Sequence, residues 1–507
     1  MDNKIFSIKD LAGKVKDCKK RGKKIVLCHG VYDLLHIGHI KHFKEAKKNG
    51  DLLIVTVTID KHVHKGPNRP EFKIQQRLEA LSAIEFIDFV AASKFTSAVE
   101  VIKIIRPNVY CKGPDYIDEK NDLTGKIKDE KLAVNTIGGK ILFTKSETFS
   151  SSKLLNKFGN ALSKEQKTFT KHISEEFNSD KIARINKDLK KLKVLVIGET
   201  IIDKYVFCET LGKSGKEPHL VLKYMNEQFH AGGAAAIALH LSSFCKSITL
   251  LSALGKNKIH EKFIKKTIPK NIKTNFLYKK NSPTIEKTRF IDYVSKSKML
   301  GVYKINDDKL SNSEEYKFKK IILRKIKNFD IVIVSDYGHG LISKKIAKLI
   351  CKKSKFLALN AQVNASNIGY HSIQKYKNID CVIINEVELR HELRDKISKT
   401  EVLIKRLAKS IRARDLVVTK GSDGAIMYSS KTNRLIYCPA FASKVIDKLG
   451  AGDAMLSVLS ILLKSKFEKK LSLFLGSLAS AQSVEIIGNS KHLNKIKLLK
   501  YAQHVMK

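Results

Sequence analysis

The sequence predicts an α/β protein of two domains built on open, largely parallel sheets. Three observations predict it. Lys24–Cys28 is a short apolar run that opens into a glycine-punctuated loop, His29–His39, and then a helical pattern through Lys48. Asp447-Lys448-Leu449-Gly450-Ala451-Gly452-Asp453 leads directly into the apolar run Ala454–Leu463. Further buried-strand runs, Ile331–Val334 and Cys381–Ile384 among them, end in polar or glycine-containing loops. Strand, tight loop and helix in that order is the phosphate-site layout of an open sheet.

At 507 residues the chain is long enough for two or three full cores, and two is the expectation. Lys plus Arg number 96 against 50 acidic residues, a formal net charge of +46, which invites a nucleic-acid reading. The lysines run through the whole length without an RNA or DNA module signature, so nucleic acid is not expected as a partner; phosphorylated substrates would benefit from the same field. The eight cysteines show neither CxxC nor metal-ligand spacing and read as reduced core residues. No apolar h-region follows Met1 and no uninterrupted apolar segment approaches a membrane span, so a cytoplasmic protein without membrane contact is expected.

Residues 8–22 read as an amphipathic helix, with Leu11, Val15 and Cys18 at helical spacing. After the strand Lys24–Cys28 the loop carries Gly30, Tyr32 and Asp33, and then His36-Ile37-Gly38-His39 at a predicted helix start. The two imidazoles would face one bound triphosphate; a pair of surface histidines or a metal site are the alternatives. Leu52–Thr58 is the second strand. His62–Pro70 is a polar loop carrying Lys65 and Arg69, and Ile74–Ala83 is a helix with Arg77 off its Leu78/Leu81 face. A third strand, Phe86–Ala91, precedes Ser97–Ile105, and a fourth ends in Val109–Tyr116, with Lys112 and Asp115 at a strand C-terminus. A polar insertion is expected at Ile117–Asp129 and a strand at Lys140–Phe143. Ser150-Ser151-Ser152 then open a helix from Lys153, as caps or as a phosphate-holding turn.

Lys24–Val57, through its HxGH, resembles the small nucleotidylyltransferase superfamily of the glycerol-phosphate cytidylyltransferases and heptose-phosphate adenylyltransferases. That resemblance implies a doubly wound, Rossmann-like fold in which His36 and His39 stabilise the α-phosphate as pyrophosphate leaves. It also implies nucleotide contacts from Gly30, Tyr32, Asp33, Lys65 and Ser150–Ser152, with Arg69 and Arg77 as weaker phosphate candidates. Lys112-Gly113-Pro114-Asp115-Tyr116 resembles the VKGxDY segment of the heptose-type enzymes, implying substrate contacts from Lys112 and Asp115. The implied nucleotidyl donor is ATP or CTP.

Residues 156–192 are charged and helical in pattern, and the expected division is a nucleotidylyltransferase domain at 1–160, a helical linker at 161–190 and a kinase domain at 191–507. In the 447–453 turn the glycines allow a tight bend, and the helix start offers free N–H groups and a dipole that favour an anion. Asp453 placed there reads as a general base beside a phosphoryl group in transfer, the alternative being an aspartate cap. With Asn385-Glu386-Val387-Glu388 and Val417–Gly424 in this order, the segment from about Lys193 to Lys507 resembles the ribokinase-like sugar kinases.

That second resemblance implies a doubly wound domain with a small β lid near Tyr205–Met225. Gly450, Ala451 and Gly452 would form the anion hole, Thr419, Gly421 and Gly424 would line ATP, and Asn385 with Glu388 would hold Mg²⁺ through water. Asp203, Gly232, Gly233, Lys287, Arg289 and Asp336 would meet the sugar. The segments 283–289 and 335–340 resemble the heptose kinases. Ala236, where those kinases usually have Asn, and Asn360-Ala361-Gln362, where they have an acidic DPK, depart from them. Together the halves resemble the bifunctional heptose-7-phosphate kinase and heptose-1-phosphate adenylyltransferase with its domains in reversed order. The implied product is a nucleotide-activated sugar for lipopolysaccharide or capsule, and a homodimer is compatible with it. A cytidylyltransferase/kinase pair for another sugar or polyol is the alternative within enzymes, and an inactive ligand-sensing or RNA-binding scaffold the alternative outside them.

Overall fold

The computed structural model describes residues 4–63, 69–114, 126–144, 162–175, 178–363 and 366–506. The chain divides into two compact units, Met1–Ala183 with Leu499–Lys507, and Arg184–Leu498.

In the first unit the elements run β1 (Ile5–Phe6), α1 (Ile8–Lys20), β2 (Ile25–Gly30), α2 (Ile37–Lys47), β3 (Leu52–Thr58), α3 (Ile74–Ser82), β4 (Phe89–Ser93), α4 (Val99–Ile105), β5 (Val109–Lys112), α5 (Lys126–Thr136), β6 (Lys140–Phe143) and α6 (Lys164–Ser174). The strands form one sheet in the order β1-β4-β3-β2-β5-β6, every pairing parallel. The apolar runs of β2 and β3 are buried on both faces, as parallel strands covered by helices must be. From β2 the chain passes to β3 and β4 on one side and returns to β5 and β6 on the other. That reversal leaves a crevice beyond the C-terminal end of β2, where the His29–His39 loop begins. The expected third strand, Phe86–Ala91, lies at Phe89–Ser93. The expected polar insertion is corrected at its end: Lys126–Asp129 are the first turn of α5, anchored by buried Ile127, Glu130, Ala133 and Val134.

In the second unit α7 (Ser179–Lys191) precedes β7 (Lys193–Gly198), β8 (Thr200–Lys213), β9 (Leu220–Gly233), α8 (Ala234–Leu241), β10 (Ser247–Gly255), α9 (Glu261–Thr267), β11 (Ile272–Lys279), β12 (Glu286–Asp292) and β13 (Lys298–Lys304). There follow α10 (Asn312–Lys325), β14 (Ile331–Asp336), α11 (Lys344–Lys353), β15 (Leu357–Ala361), β16 (Ile379–Asn385), α12 (Glu386–Leu393), α13 (Thr400–Ile411), β17 (Ala413–Thr419), β18 (Ala425–Ser429), β19 (Arg434–Cys438), α14 (Ala451–Lys464), α15 (Lys469–Val484) and α16 (Lys495–Val505), the last of which passes into the first unit from Leu499. Nine strands form the main sheet, β11-β10-β7-β14-β15-β16-β17-β18-β19, parallel through β17 and antiparallel after it. A second sheet, β13-β12-β8-β9, is the lid. Helix α14 is buried continuously from Ala454 to Leu463, which explains why its sequence is apolar all round rather than striped. No helix among the described residues is long and apolar enough to cross a membrane.

Candidate functional sites

In the second unit the C-terminal ends of β14, β15 and β16 bring Tyr337, Asn360 and Asn385 toward the start of α14. Gly450 caps that helix with φ 82°, a left-handed conformation, and a side chain there would also meet Asn489 Oδ1 at 2.4 Å. Two residues on, a Cβ at Gly452 would meet only Asn360 Nδ2, at 3.5 Å. The amide that replaces the expected acidic residue therefore lies beside Gly452, at the start of α14. Asp453, in the first turn of α14, is half-buried. Burial, with the charges of Asp203 and Glu388, pushes its carboxyl up to about 7 against the hydrogen bond from Tyr337, whose hydroxyl lies 2.9 Å from both carboxylate oxygens.

The lid supplies the opposite wall. Alternation along parallel-paired β8 and β12 puts Asp203 and Tyr205, and Lys287 and Arg289, on common faces, with Asp203 in register with Lys287. Arg289 Nη1 donates to Asp203 Oδ1 at 2.6 Å, and both are buried. A Cβ at Gly232 would sit 2.1 Å from Asp203 Oδ2, and Gly233, at φ 62°, would drive one into Glu199 O; these two glycines are what lets β9 pass Asp203. Lys287 is buried without an ion-pair partner among the described residues, its ammonium 5.5 Å from the ring centre of Tyr303 and 5.9 Å from that of Tyr337. Burial lowers its pKa, with Asp203 opposing. The ring faces partly offset the desolvation of the ammonium.

Three sequence-level assignments take a different form. Asp336 does not face the basin: it is 1% exposed and is held by Lys375 Nζ and the Tyr376 hydroxyl, each at 2.6 Å. Burial opposes its ionisation, but Lys375, His371 and Tyr376 keep it below the usual carboxylate range. Asn385 and Glu388 form a reciprocal capping box on α12, Asn385 Oδ1 accepting from Glu388 N at 2.8 Å and Glu388 Oε2 from Asn385 N at 3.0 Å. Burial pushes the Glu388 carboxyl up to about 7. Hard oxygen donors with spare lone pairs fit a hydrated Mg²⁺, which keeps most of its waters. Thr419 ends β17 beside Asn385 in register, Gly421 has φ 60° with open space around it, and a Cβ at Gly424 would strike Cys438 O.

Sequence reasoning missed Glu199 and Tyr337. Glu199 accepts the backbone N–H groups of Tyr337 at 3.0 Å and His339 at 3.2 Å, and burial beside Asp336 pushes its carboxyl up to about 7. The signal was present in the acidic residue that follows Gly198 at the end of β7.

In the first unit His36 caps α2 through Nδ1, which accepts from Gly38 N at 3.1 Å. Its ring stacks on His39 with centres 3.9 Å apart, and Tyr32 meets His39 edge-on at 5.3 Å. Tyr32 adopts φ 49°, and a Cβ at Gly30 would lie 2.8 Å from its ring, so Gly30 is the residue that admits this turn. Asp33 is buried, accepting from Phe72 N at 3.0 Å and Arg69 Nη1 at 3.4 Å, and so organises the loop. Lys112 pairs with Glu130 at 3.0 Å. Arg77, expected among the phosphate contacts, is instead structural: it is 2% exposed, donates to Val31 O and Thr58 O, and pairs with Asp60 at 2.5 Å. Burial and the nearby lysines depress His29 to about 3 and burial depresses His42 to about 4, so both are neutral, His29 bonded to the hydroxyls of Thr56 and Thr58 and His42 to that of Thr144. Lys65, Asp115 and Ser150–Ser152 lie outside the described residues.

Residues 191–495 match the pfkB family carbohydrate kinases. The chain belongs to that family. Residues 27–157 match the cytidylyltransferase-like family, so this segment precedes the kinase segment along the chain. The bifunctional protein HldE of Campylobacter jejuni strain RM1221 is 29% identical over 303 residues, 59% of this chain and 62% of that protein. HldE of Geobacter metallireducens is 34% identical over 167 residues, 32% of this chain and 33% of its own length. The chain thus spans about 62% of the length of the first of these relatives. Among solved structures, phosphofructokinase-2 of Escherichia coli in complex with potassium superposes with a TM-score of 0.51 at 15% identity, covering 62% of this chain and 99% of its own, a likeness of fold.

Proposed function

We propose that the chain is a bifunctional enzyme that phosphorylates a phosphorylated heptose with ATP and transfers a nucleotidyl group to a sugar phosphate, yielding a nucleotide-activated sugar for lipopolysaccharide or capsule. The observation that carries the kinase half is Asp453 at the N-terminus of α14, its hydroxyl partner Tyr337 also facing the buried Lys287, which has no ion-pair partner among the described residues. Asp453 accepts the proton of the acceptor hydroxyl, the α14 N–H groups take up charge on the transferring phosphoryl, and Arg289–Asp203 orients sugar hydroxyls. Lys287 receives the phosphate the sugar already carries. Asn385 and Glu388 would hold Mg²⁺, which when bound neutralises charge on the ATP phosphates.

In the first unit the stacked His36 and His39 at the crevice mouth support nucleotidyl transfer. Imidazole N–H groups there donate to the α-phosphate while a sugar phosphate attacks and pyrophosphate leaves. Both reactions consume nucleoside triphosphates, which accords with work in the cytoplasm. The purified chain, incubated with ATP, CTP, Mg²⁺ and a panel of heptose, hexose and pentose phosphates, should give a doubly phosphorylated heptose and, separately, a nucleotide-linked sugar by mass. Turnover of unphosphorylated sugars alone would overturn the substrate assignment.

A further inference from the structure

Asp453 is not left to find its own orientation. Tyr337, 116 residues earlier in sequence, places its hydroxyl at 2.9 Å from each carboxylate oxygen. The tyrosine is itself 5% exposed and packs with Ile201 and Ile285. Its backbone is held from two sides: its N–H donates to Glu199 Oε2 at 3.0 Å, and its carbonyl accepts from Asn367 Nδ2 at 2.8 Å. The next residue, Gly338, has φ 74° and donates to Asp336 Oδ1 at 3.2 Å; any side chain there would strike Asn367 Nδ2. A loop fixed this way has one purpose that packing does not explain, which is to aim a phenol at the carboxylate across the basin. The same ring faces the Lys287 ammonium.

We propose that Tyr337 is a positioning residue of the kinase centre, holding one oxygen of the Asp453 carboxylate so that the other is presented to the acceptor hydroxyl. The proposal rests on the kinase reading of this site. A phenol has a single hydrogen, so of two equidistant oxygens it serves one at a time, and the second keeps its lone pairs for substrate. In the transfer step the acceptor O–H proton moves to that second oxygen, a bond forms between the acceptor oxygen and the γ-phosphorus of ATP, and the bond to the β,γ-bridging oxygen breaks with its electron pair leaving on ADP. Tyr337 loses nothing in this step. Burial and the adjacent carboxylate raise its pKa well above the ordinary phenol value, so it remains a donor throughout the range in which Asp453 titrates.

The test is Tyr337→Phe in the full chain, assayed with ATP and a heptose 7-phosphate across pH 5–9. The ring and its packing are kept, and only the hydroxyl is lost. The expected result is a kcat lowered on the order of tenfold, a KM for ATP unchanged, and an acid limb of the kcat/KM profile moved up by roughly one pH unit, because the hydrogen bond favours the ionised carboxylate. A merely structural tyrosine would lower activity without moving the limb, and superimposable wild-type and variant profiles would overturn the proposal while leaving the kinase reading intact. If the wild type phosphorylates none of the sugar phosphates, the kinase reading falls and this role falls with it. Should Tyr337→Phe fail to fold, Tyr337→Met read in the same way replaces it.

Discussion

Lys298, on lid strand β13, donates from Nζ to Asp447 Oδ1 at 2.5 Å, tying the lid to the turn that precedes α14. The other oxygen of Asp447 accepts from the Tyr205 hydroxyl at 2.7 Å and from Gly488 N at 3.0 Å, and Oδ1 also accepts from Leu449 N at 3.0 Å. One buried carboxylate thus organises donors from β8, β13, its own turn and the segment after α15. The same Asp447 stands six residues before Asp453, so the order of the Gly450–Gly452 turn depends on it.

The two partners of that pair should differ in cost. Asp447→Ala leaves the Tyr205 hydroxyl and two N–H groups buried without an acceptor, and should cost about 3–5 kcal/mol in urea unfolding. Lys298→Ala should cost no more than about 1 kcal/mol, since the ammonium is 40% exposed and water replaces it. Burial opposes ionisation of Asp447, but Lys298, Leu449 N and Tyr205 hold its pKa below the ordinary value of 3.8. Its contribution is therefore fully present above that value and is lost as pH falls through the lower folded-state pKa. The gap between wild type and Asp447→Ala should accordingly close in acid. A gap independent of pH would show that the carboxylate's charge is not what holds the turn.

Asp453 carries the opposite sign. Its folded-state pKa, about 7, is above the ordinary 3.8, so between those values the folded chain binds more protons than the unfolded one and stability falls as pH rises. Asp453→Asn should therefore be more stable than wild type at pH 8 and about equal to it at pH 4. The same substitution should lower ATP-dependent sugar phosphorylation by at least about 10²-fold, with nucleotidyl transfer intact. Calorimetry at the two pH values and an ADP-release assay read both effects from one preparation; a variant that phosphorylates normally would remove Asp453 from its role.

The histidine pair gives the reciprocal experiment. His39→Ala removes one half of the stacked pair and should abolish pyrophosphate release with a sugar 1-phosphate and the preferred NTP, while ADP release by the kinase persists. If pyrophosphate release instead tracked added zinc and the variant lost a bound metal, a metal-ligand role would replace the phosphate role.

What the sequence made legible was local. The glycine-rich turn and apolar run around Asp453 are adjacent in the chain, as are His36 and His39, and short-range spacing suffices to put them at helix starts. Tyr337 with Asp453, and Lys298 with Asp447, are pairs 116 and 149 residues apart, and no periodicity joins them. Arg77 misled because a position off the apolar face normally meets solvent, whereas here the carbonyls of Val31 and Thr58 recruit the guanidinium inward. Asn385 and Glu388 were ambiguous for a plainer reason: a spacing of three serves a capping box as well as a ligand pair, and the structure shows the capping box.

Asn360 offers the sharpest test of substrate handling. It is the half-buried residue next to the C-terminal end of β15, in register with Ser335 and Ile383, and its Nδ2 lies beside Gly452. An amide there donates a hydrogen bond without adding charge, whereas a carboxylate would accept one and repel both the incoming phosphoryl and Asp453. A site built around hydrogen bonds to particular groups discriminates strongly when one is inverted, by as much as about 10⁴-fold in favourable cases. Asn360→Asp should therefore raise KM for the sugar phosphate more than KM for ATP. It should also move the acid limb of kcat/KM to higher pH, because a second negative charge beside Asp453 favours its protonated form. Steady-state kinetics with each substrate varied in turn, at pH 6, 7 and 8, separate the two effects. A variant whose KM for ATP rises while that for the sugar phosphate stays constant would place Asn360 with the nucleotide instead.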